Sequence, residues 1–197
     1  MSMGNRKVEQ GRQTRERLIA TATRLFAENG YEGTSIEAVL AQAEVSRGAL
    51  YHHFANKEAL FEAVLEAIET SIQGTLAAEA IGSSDPVEAL RAASRTWVRL
   101  AGDPTIRRIA IIDAPAVVGW QKWREIDGRH NFGMLRATLE AIAATGAIPR
   151  DSVDLLAHLL LAALLEAALV IAHAEQPVAE QQEAVLDEFI TRLVGAA

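Results

Sequence analysis

Apolar residues recur along most of the chain at intervals of three and four positions, the spacing that gathers them on one side of an α-helix. One stripe with this spacing ends before Asn29-Gly30 and consists of Leu18, Ile19, Ala22, Leu25 and Phe26. Runs of Val, Ile and Thr, which favour strands, are rare, and alanine is abundant. The pattern therefore predicts an all-α protein.

Prolines and capping residues mark the ends of the predicted helices. Asp85 and Asp103 each precede a proline, as an N-cap precedes a first-position proline. The sequence Thr34-Ser-Ile-Glu37 matches a capping box, and Ser46 is placed to cap the helix after the next turn. Nine helices result, at residues 14–29, 35–42, 46–53, 57–80, 86–101, 104–113, 116–145, 152–174 and 177–194.

Charge is distributed unevenly along the chain, whose net charge is −7. Residues 1–27 carry six basic and two acidic side chains, whereas residues 61–197 carry 11 basic and 19 acidic ones. Arg12 and Arg15 lie at the predicted start of the first helix, where the helix dipole disfavours cations. An external anion would account for them, so the two parts of the chain are expected to meet different surroundings.

The residue types that carry common catalytic chemistry are absent or scattered. There is no cysteine among the 197 residues, which excludes disulfides, thiol catalysis and zinc-thiolate sites and fits a reducing compartment. The charged N-terminus lacks an apolar export signal, so a cytoplasmic protein is expected. The sequence shows no Ser-His-Asp set, metal-spaced histidines or Gly-rich phosphate loop. We therefore predict no enzyme activity, no metal and no other cofactor.

The second and third predicted helices are short and are joined by three residues, which is the outline of a helix-turn-helix. In the third helix, Leu50 and Phe54 fall on one side and are expected to be buried. The opposite side carries Gly48, Ala49 and His52. Such a polar face can simply be solvated, but the turn spacing and the basic N-terminus favour DNA binding.

This face of the third helix fits the major groove of DNA. Its small residues let the backbone approach base edges, and Arg47 and His52 can reach into a groove ~12 Å wide. Tyr51 and His53 lie on the two flanks, where they would meet phosphates together with Lys57 at the start of the fourth helix. Double-stranded DNA is therefore the predicted partner of the N-terminal part.

Residues 12–61 contain three motifs in succession, GY-x-x-TS, VSRGALYHHF and NKEAL. With these motifs the segment resembles the N-terminal DNA-binding domain of TetR-like transcriptional repressors. The resemblance implies a three-helix DNA-binding domain at residues 12–56, preceded by a flexible basic arm at residues 1–11. It also implies a six-helix domain at residues 57–197 for effector binding and dimerisation.

The resemblance extends to individual DNA contacts. It implies phosphate contacts by Thr34 and Ser35 at the second helix, and DNA contacts by Ser46 and Arg47 at the start of the third. The sequence departs from the family pattern at Glu44, where many relatives carry Gly in the turn. A left-handed glutamate at this position would cost about 1 kcal/mol.

Residues 155–173, LLAHLLLAALLEAALVIAH, are close to the length of a membrane span. The central Glu166 makes insertion unfavourable, so no membrane contact is predicted. A helix that is apolar nearly all round must still be covered. With the amphipathic helix 184–194 it resembles the two helices through which this family forms homodimers. The predicted interface residues are Leu161, Leu164, Leu165, Ala168, Val185 and Phe189.

An effector cavity is predicted in the C-terminal part from its aromatic and polar side chains. The apolar candidates for its walls are Trp97, Trp120, Trp123, Phe132 and Met134. The polar candidates are Arg107, Asp113, His130 and His158. For each of these residues core packing, a salt bridge or a helix cap is an alternative role.

The sequence thus predicts a ligand-responsive transcriptional regulator, in the simplest form a repressor. A homodimer would bind a palindromic operator and be released by an unknown small-molecule effector. One alternative is a small-molecule binding protein or an enzyme that uses the aromatic C-terminal pocket. Another is a membrane-associated sensor that depends on residues 155–173.

Overall fold

The computed structural model of the chain describes residues 3–81, 83–174 and 179–194, and all regular structure within these ranges is helical. Its helices are α1 (Met3–Gly33), α2 (Ile36–Ala43), α3 (Arg47–His53), α4 (Lys57–Ile81), α5 (Pro86–Ala101), α6 (Pro104–Ile106), α7 (Ala114–Val117), α8 (Trp120–Ala144), α9 (Val153–His173) and α10 (Ala179–Val194). The π-helical segment Arg107–Asp113 joins α6 and α7 into one continuous stretch. Counted in this way, the described ranges contain nine helices, and the predicted all-α class is confirmed.

Helix α1 begins at Met3, so the predicted start at residue 14 was wrong, and residues 3–11 are helical where a flexible arm was expected. This first part has no apolar stripe, but Arg12 lies 2.6 Å from Glu9 and 2.7 Å from Glu16, one turn away on either side. Such pairs support a solvent-exposed helix. Arg12 therefore lies inside the helix and has acidic partners, which removes the argument for an external anion at this residue.

The caps of the short helices differ from the prediction at one position. Thr34 does not cap α2, because its side chain is buried and its hydroxyl donates to the carbonyls of Leu25 at 3.0 Å and Gly30 at 2.8 Å. The cap is Ser35, whose Oγ accepts the N–H of Ala38 at 3.1 Å. The predicted caps at Ser46, Asp85 and Asp103 are confirmed.

The break after the π-helical segment lies at Gly119, not at Pro115 as predicted. Pro115 lies in α7, inside the continuous helical stretch, so it does not end the helix. Gly119 has a φ of 84°, a conformation that glycine adopts without strain, and α8 starts at the next residue. The start predicted at residue 177 for the last helix lies outside the described residues.

Helix α4 connects the N-terminal helices with the rest of the molecule. At its beginning, the ring of Phe61 lies 5.2 Å from that of Phe26 in α1, and Leu50 of α3 is buried in the same core. Further along, α4 packs on α5 and α8. A second core at the opposite end of the molecule joins Leu139 and Ile190 from α8 and α10. The C-terminal helices thus form a bundle that shares α4 with the N-terminal domain.

Candidate nucleic-acid interface and effector cavity

The turn between α2 and α3 is held in one conformation. Glu44 is left-handed, with φ 53° and ψ 43°, and its N–H bonds the carbonyl of Leu40. It is the only non-glycine residue with positive φ among the residues that the structure describes. The conformation whose cost was considered in the sequence analysis is therefore the one that Glu44 adopts. On α3, Leu50 and Phe54 are buried as predicted, which fixes the orientation of this short helix.

The remaining faces of α3 carry the predicted DNA-contacting side chains. Arg47, Gly48, Tyr51 and His52 are exposed, and Ala49 is half-buried. A β-carbon added to Gly48 would meet no atom within 4 Å. The protein's own packing therefore does not require glycine there, whereas close approach of another molecule would favour it.

Arg47 is already engaged in an ion pair. Its Nη2 lies 2.6 Å from Oε1 of Glu37 on α2, and both side chains are exposed. Exposed pairs of this kind contribute only about 0–1 kcal/mol, so the guanidinium can exchange this partner for another acceptor.

His53 lies on the flank of α3, next to α1. Burial, followed by the nearby charges of His52 and Arg15, keeps the pKa of the His53 imidazole below its ordinary value. The ring of His52 is 5.2 Å away, and the guanidinium of Arg15 lies 5.5 Å from the ring of Phe54. A phosphate beside His53 would oppose this lowering of the pKa.

Two predicted phosphate contacts have other partners in the structure. The buried hydroxyl and N–H of Thr34 are both used within the protein, which contradicts a phosphate contact by this side chain. Lys57 Nζ donates to the carbonyls of Tyr31 at 2.8 Å and Thr34 at 3.1 Å. Lys57 thus closes the connection between α1 and α2, and a phosphate contact would require a share of the same ammonium. Ser35 is exposed, and as an acceptor in its cap it keeps a hydroxyl proton to donate.

The C-terminal bundle contains a cavity among α4, α5, α8 and α9. Its empty space, including the open mouth, amounts to about 600 Å³. The walls are mostly apolar and include Leu76, Leu90, Trp97, Met134, Leu161 and Leu164. Of the nine predicted cavity residues, only Trp97 and Met134 line it.

The other aromatic candidates lie elsewhere. Trp123 is buried and donates its Nε1–H to the carbonyl of Ala110 at 2.8 Å, so it belongs to the core. Trp120 is exposed beside it. The rings of Phe132 and His158 lie 4.5 Å apart on a surface groove next to Trp120. The pattern could not separate these positions, because aromatic residues at helical spacing serve the core, the surface and a cavity equally well.

The polar candidates bridge helices outside the cavity. Arg107 Nε donates to the carbonyl of Ala172 at 2.6 Å. His130 Nε2 lies 2.7 Å from Oε2 of Glu66 on α4. Asp113 belongs to a group of four residues that we call the clasp. These interactions contradict the predicted placement of Arg107, Asp113 and His130 in a ligand site.

The clasp joins the end of α1 to the π-helical segment and consists of Gly30, Tyr31, Arg108 and Asp113. Oδ2 of Asp113 accepts the N–H of Tyr31 at 2.8 Å and Nε–H of Arg108 at 3.2 Å. Gly30 has a φ of 72°, and a β-carbon there would collide with the guanidinium of Arg108. The conformation therefore favours glycine at position 30, and a larger residue would also displace the guanidinium of Arg108 from the clasp.

A buried polar cluster beside the cavity was missed by the sequence prediction. Glu69, Asp127 and Asn131 are only 2%, 6% and 7% exposed. Nδ2 of Asn131 donates to Asp127 Oδ1 at 3.0 Å and approaches Glu69 Oε2 at 3.3 Å. The spacing of Asp127 and Asn131 on α8, together with Glu69 among the apolar residues of α4, was the available signal.

The cluster has more acceptors than donors. Asp127 Oδ2 and Asn131 Oδ1 are buried without a hydrogen-bond partner among the described residues. Burial, and then the charge of Asp127, raise the pKa of the Glu69 carboxyl to about 8. Burial also raises the pKa of Asp127. Asp127 and Asn131 are among the residues that line the cavity, and these two acceptor atoms are themselves buried.

The outward face of α9 differs from the predicted interface. Leu165 and Ala168 are buried in the protein's own core, and Leu161 and Leu164 line the cavity. The exposed apolar residues of α9 are Leu155, Leu159 and Val170, and those of α10 are Val185 and Phe189. The burial of Leu165 and Ala168 contradicts their predicted place on an outward face, because a helix that is apolar all round gives no periodic signal of which side faces out. Interface contacts by Leu161, Leu164, Val185 and Phe189 stay predictions.

The stretch Arg150–His173 is long and apolar enough to cross a membrane by length and composition. One side of it packs on α5 and α8 in the bundle, as a core helix does. Within the ranges that the structure describes, no group of three or more His, Asp or Glu side chains could hold a metal ion.

Comparison with known proteins gives two family matches. Residues 87–195, more than half of the chain, match the model for the tetracyclin repressor-like C-terminal domain. Residues 18–64 match the model for bacterial regulatory proteins of the tetR family.

Individual relatives extend over most of the chain. The Transposon Tn10 TetC protein of Escherichia coli is 25% identical over 160 residues, 81% of each protein. The HTH-type transcriptional repressor NicS of Pseudomonas putida is 28% identical over 167 residues, 80% of this chain and 76% of NicS.

Solved structures show the same fold. A TetR-family transcriptional regulator from Pectobacterium atrosepticum has a TM-score of 0.83 and 33% identity, over 94% of this chain and 96% of that one. The structure of RolR in complex with resorcinol has a TM-score of 0.75 and 24% identity, over 95% of this chain and 90% of that one.

Proposed function

The chain belongs to the TetR family of DNA-binding transcriptional regulators, and we propose that two copies bind a palindromic operator and leave it when a small molecule fills the cavity. NicS, a similar protein, is described as a repressor, and we propose repression for this chain. A cytoplasmic location follows from that role, because the operator lies there.

The observation that carries the proposal is the exposed polar face of α3. Its two sides differ sharply: Leu50 is buried, whereas Arg47 and His52 project into solvent. In a helix-turn-helix, the second helix enters the major groove with side chains such as these. We assign base contacts to Arg47 and His52, and phosphate contacts to Tyr51, His53 and Ser35.

A dimer would place two α3 helices in successive major grooves, ~34 Å apart. The exposed apolar residues of α9 and α10 support this assembly, because two such faces related by twofold symmetry can cover each other. A pair of heads also makes the second DNA contact effectively intramolecular, which raises affinity by roughly 10²–10⁴.

Release by a ligand requires the cavity and α3 to be coupled. Helix α4 lines the cavity with Leu76 and Ala80, and at its start Lys57 holds the connection between α1 and α2. The clasp provides a second link between the bundle and α1. A ligand that favours a shifted position of α4 would therefore favour a different separation of the two heads. The ligand-bound structure of the similar protein RolR, with resorcinol, supports a small-molecule effector.

Selection of binding sites from fragmented genomic DNA tests the proposal. We expect an inverted repeat whose half-sites are one helical turn, about 10 bp, or a multiple apart. Titration of the selected site should show two protein chains, or a multiple of two, per site. An unrepeated site, or binding without sequence preference, would contradict the proposal.

A further inference from the structure

The buried polar cluster raises the question of what satisfies its free acceptors. Asp127 Oδ2 and Asn131 Oδ1 are buried, lack partners among the described residues and belong to side chains that line the cavity. A buried acceptor without a donor is unfavourable, because it has lost water and gained nothing. The cavity wall is therefore incomplete at this point, and a molecule that brings N–H or O–H groups would complete it.

The charges around the cavity indicate which kind of donor fits. The described lining residues include one carboxyl group, that of Asp127, and neither lysine nor arginine. Glu69 lies directly behind them, 3.3 Å from the amide nitrogen of Asn131. The nearest positive influences on Asp127 come from Arg124 and His130, and burial outweighs them. Any charge that the described wall carries is therefore negative, and burial opposes the ionisation of its carboxyl group.

The rest of the wall is apolar, with Leu90, Trp97 and Leu161 opposite the cluster on α5 and α9. We propose that the cavity binds an organic cation with an apolar body, whose protonated amine donates to Asp127 Oδ2 and Asn131 Oδ1. The cavity and its acceptors do not depend on the proposed function. Only the statement that this cation acts as the effector rests on it.

A cation is favoured over a neutral donor because its charge and its hydrogen bonds both act on the carboxylate. Binding would also favour the ionised forms of Asp127 and Glu69 and so release protons. Cation affinity should therefore rise as pH increases from 6 towards the pKa of Glu69, about 8. The other titratable or charged groups that face Asp127 and Glu69 are His130 and Arg124 on α8 and Glu66 on α4. The described lining residues of α5 and α9 are not titratable.

Three probes with one apolar body and different heads test the proposal: 4-phenylbutylamine, 4-phenylbutanol and 4-phenylbutyrate. Calorimetric titration of the full chain at pH 6, 7 and 8 should show the tightest binding for the amine, weaker binding for the alcohol and the weakest for the carboxylate. The amine should gain affinity with pH, and the alcohol should not. Binding of the alcohol as tightly as the amine, or no binding of the amine at any pH, would overturn the proposal.

Asp127→Asn removes the charge and keeps the shape. It should weaken amine binding by about tenfold to a hundredfold and change alcohol binding little. Glu140→Gln, an exposed acid on the same helix, is the matched control and should bind the amine as the wild type does. Equal loss of amine and alcohol affinity in Asp127→Asn would overturn the assigned contact. If Asp127→Asn does not fold, the ranking of the three probes on the wild type decides.

Failure of this inference can be distinguished from failure of the proposed function. Operator binding would be measured with and without the amine. If the amine binds but does not release the operator, the site is upheld and its role as effector site is not. If the amine does not bind while a dimer still occupies an inverted repeat, the inference fails and DNA binding stands.

Discussion

The exposed face of α3 and the buried wall of the cavity hold their polar groups in opposite ways. On α3, Arg47 is exposed and its ion pair with Glu37 lies at the surface. In the cavity, Asp127 and Asn131 are more than nine-tenths buried, and each has an acceptor atom without a partner among the described residues. The exposed side chains of α3 can therefore exchange their partners at little cost, whereas the two acceptor atoms in the cavity wall have no donor among the described residues.

This difference matches the size and charge of the two proposed ligands, DNA and a small organic cation. An exposed pair gains about 0–1 kcal/mol, so a polyanion can displace it at little cost. A buried acceptor without a donor costs about 1–3 kcal/mol, which a small donor can recover on binding. If both proposals hold, the two sites select ligands of opposite electrostatic sign.

The largest expected effect comes from a substitution that prevents dimerisation and lies neither on the exposed face of α3 nor in the cavity. Leu159→Arg would place a cation on the exposed apolar face of α9, where it would prevent a second chain from covering that face. We expect a monomer whose operator affinity has fallen by roughly 10²–10⁴. Its affinity for 4-phenylbutylamine should persist. Sedimentation equilibrium measures the assembly state, operator titration the affinity for DNA, and calorimetric titration the affinity for the amine.

Ala144→Arg, at an exposed position at the end of α8, is the control for the added charge and should stay dimeric. A Leu159→Arg protein that remains dimeric and binds its operator would contradict the assigned interface.

A second change tests the cost of burying the cluster. The pKa of Glu69 is raised from its ordinary value of 4.5 to about 8. Between these values the folded protein keeps a proton that the unfolded chain loses, so the stability contributed by Glu69 falls as pH rises from 4.5 to 8. Glu69→Gln does not titrate. Its free energy of unfolding relative to wild type should therefore rise by roughly 3 kcal/mol between pH 5 and pH 8.

Urea unfolding at the two pH values measures this difference for the wild type and the variant. Glu140→Gln, an exposed acid, should show no such trend. Parallel pH profiles for wild type and Glu69→Gln would mean that the carboxyl is not held in its neutral form.

On the DNA side, Arg47→Ala and His52→Ala should relax discrimination at a matched pair of operator positions. Each lost base contact corresponds to about 1–3 kcal/mol. Site selection and affinities for specific and random DNA measure the effect. Arg150→Ala removes the same charge from an exposed position outside the DNA-binding domain and should leave the selected sequence unchanged. If both α3 variants select the same sequence as the wild type, recognition must rest on DNA shape instead of these base contacts.

The smallest expected effect concerns the surface ion pair. Glu37→Gln would release Arg47 and remove a negative charge beside the DNA, so operator affinity should rise by a factor that corresponds to less than about 1 kcal/mol. The gain should shrink at high salt and vanish in an Arg47→Ala background. Glu79→Gln, exposed near the other end of α4, is the control. Weaker binding by Glu37→Gln would show that the pair positions Arg47 for its contact.

The sequence was sufficient for α3 because that helix has a strong contrast between its sides. Two apolar positions, Leu50 and Phe54, stand against polar or small residues, so one orientation satisfies the pattern. The same argument fails for α9, where Leu165 faces in and Leu159 faces out with identical chemistry. Only the packing of neighbouring helices distinguishes them.

The cavity cluster was missed for the converse reason. Asp127 and Asn131 lie on α8 among many polar residues, and a polar residue on such a helix is usually solvated. Their burial depends on where α4 lies against α8, which is a long-range property. Similarly, the first part of α1, from Met3 onward, has no apolar stripe that could have predicted it. Charged pairs such as Arg12–Glu9 and the helix propensity of its residues stabilise it instead.

Helix α4 also limits how the DNA-binding and sensor halves of such regulators can be recombined. Its first turns, with Leu60, Phe61 and Val64, complete the core beneath α3, and its last turns, with Leu76 and Ala80, line the cavity. No linker separates the two halves, so a crossover at residue 57 that joins a foreign sensor would replace the neighbours of Leu50. A hybrid regulator would have to be spliced inside the helix, beyond Leu65. New ligand preferences should therefore arise by single substitutions in the cavity wall more readily than by recombination of whole halves.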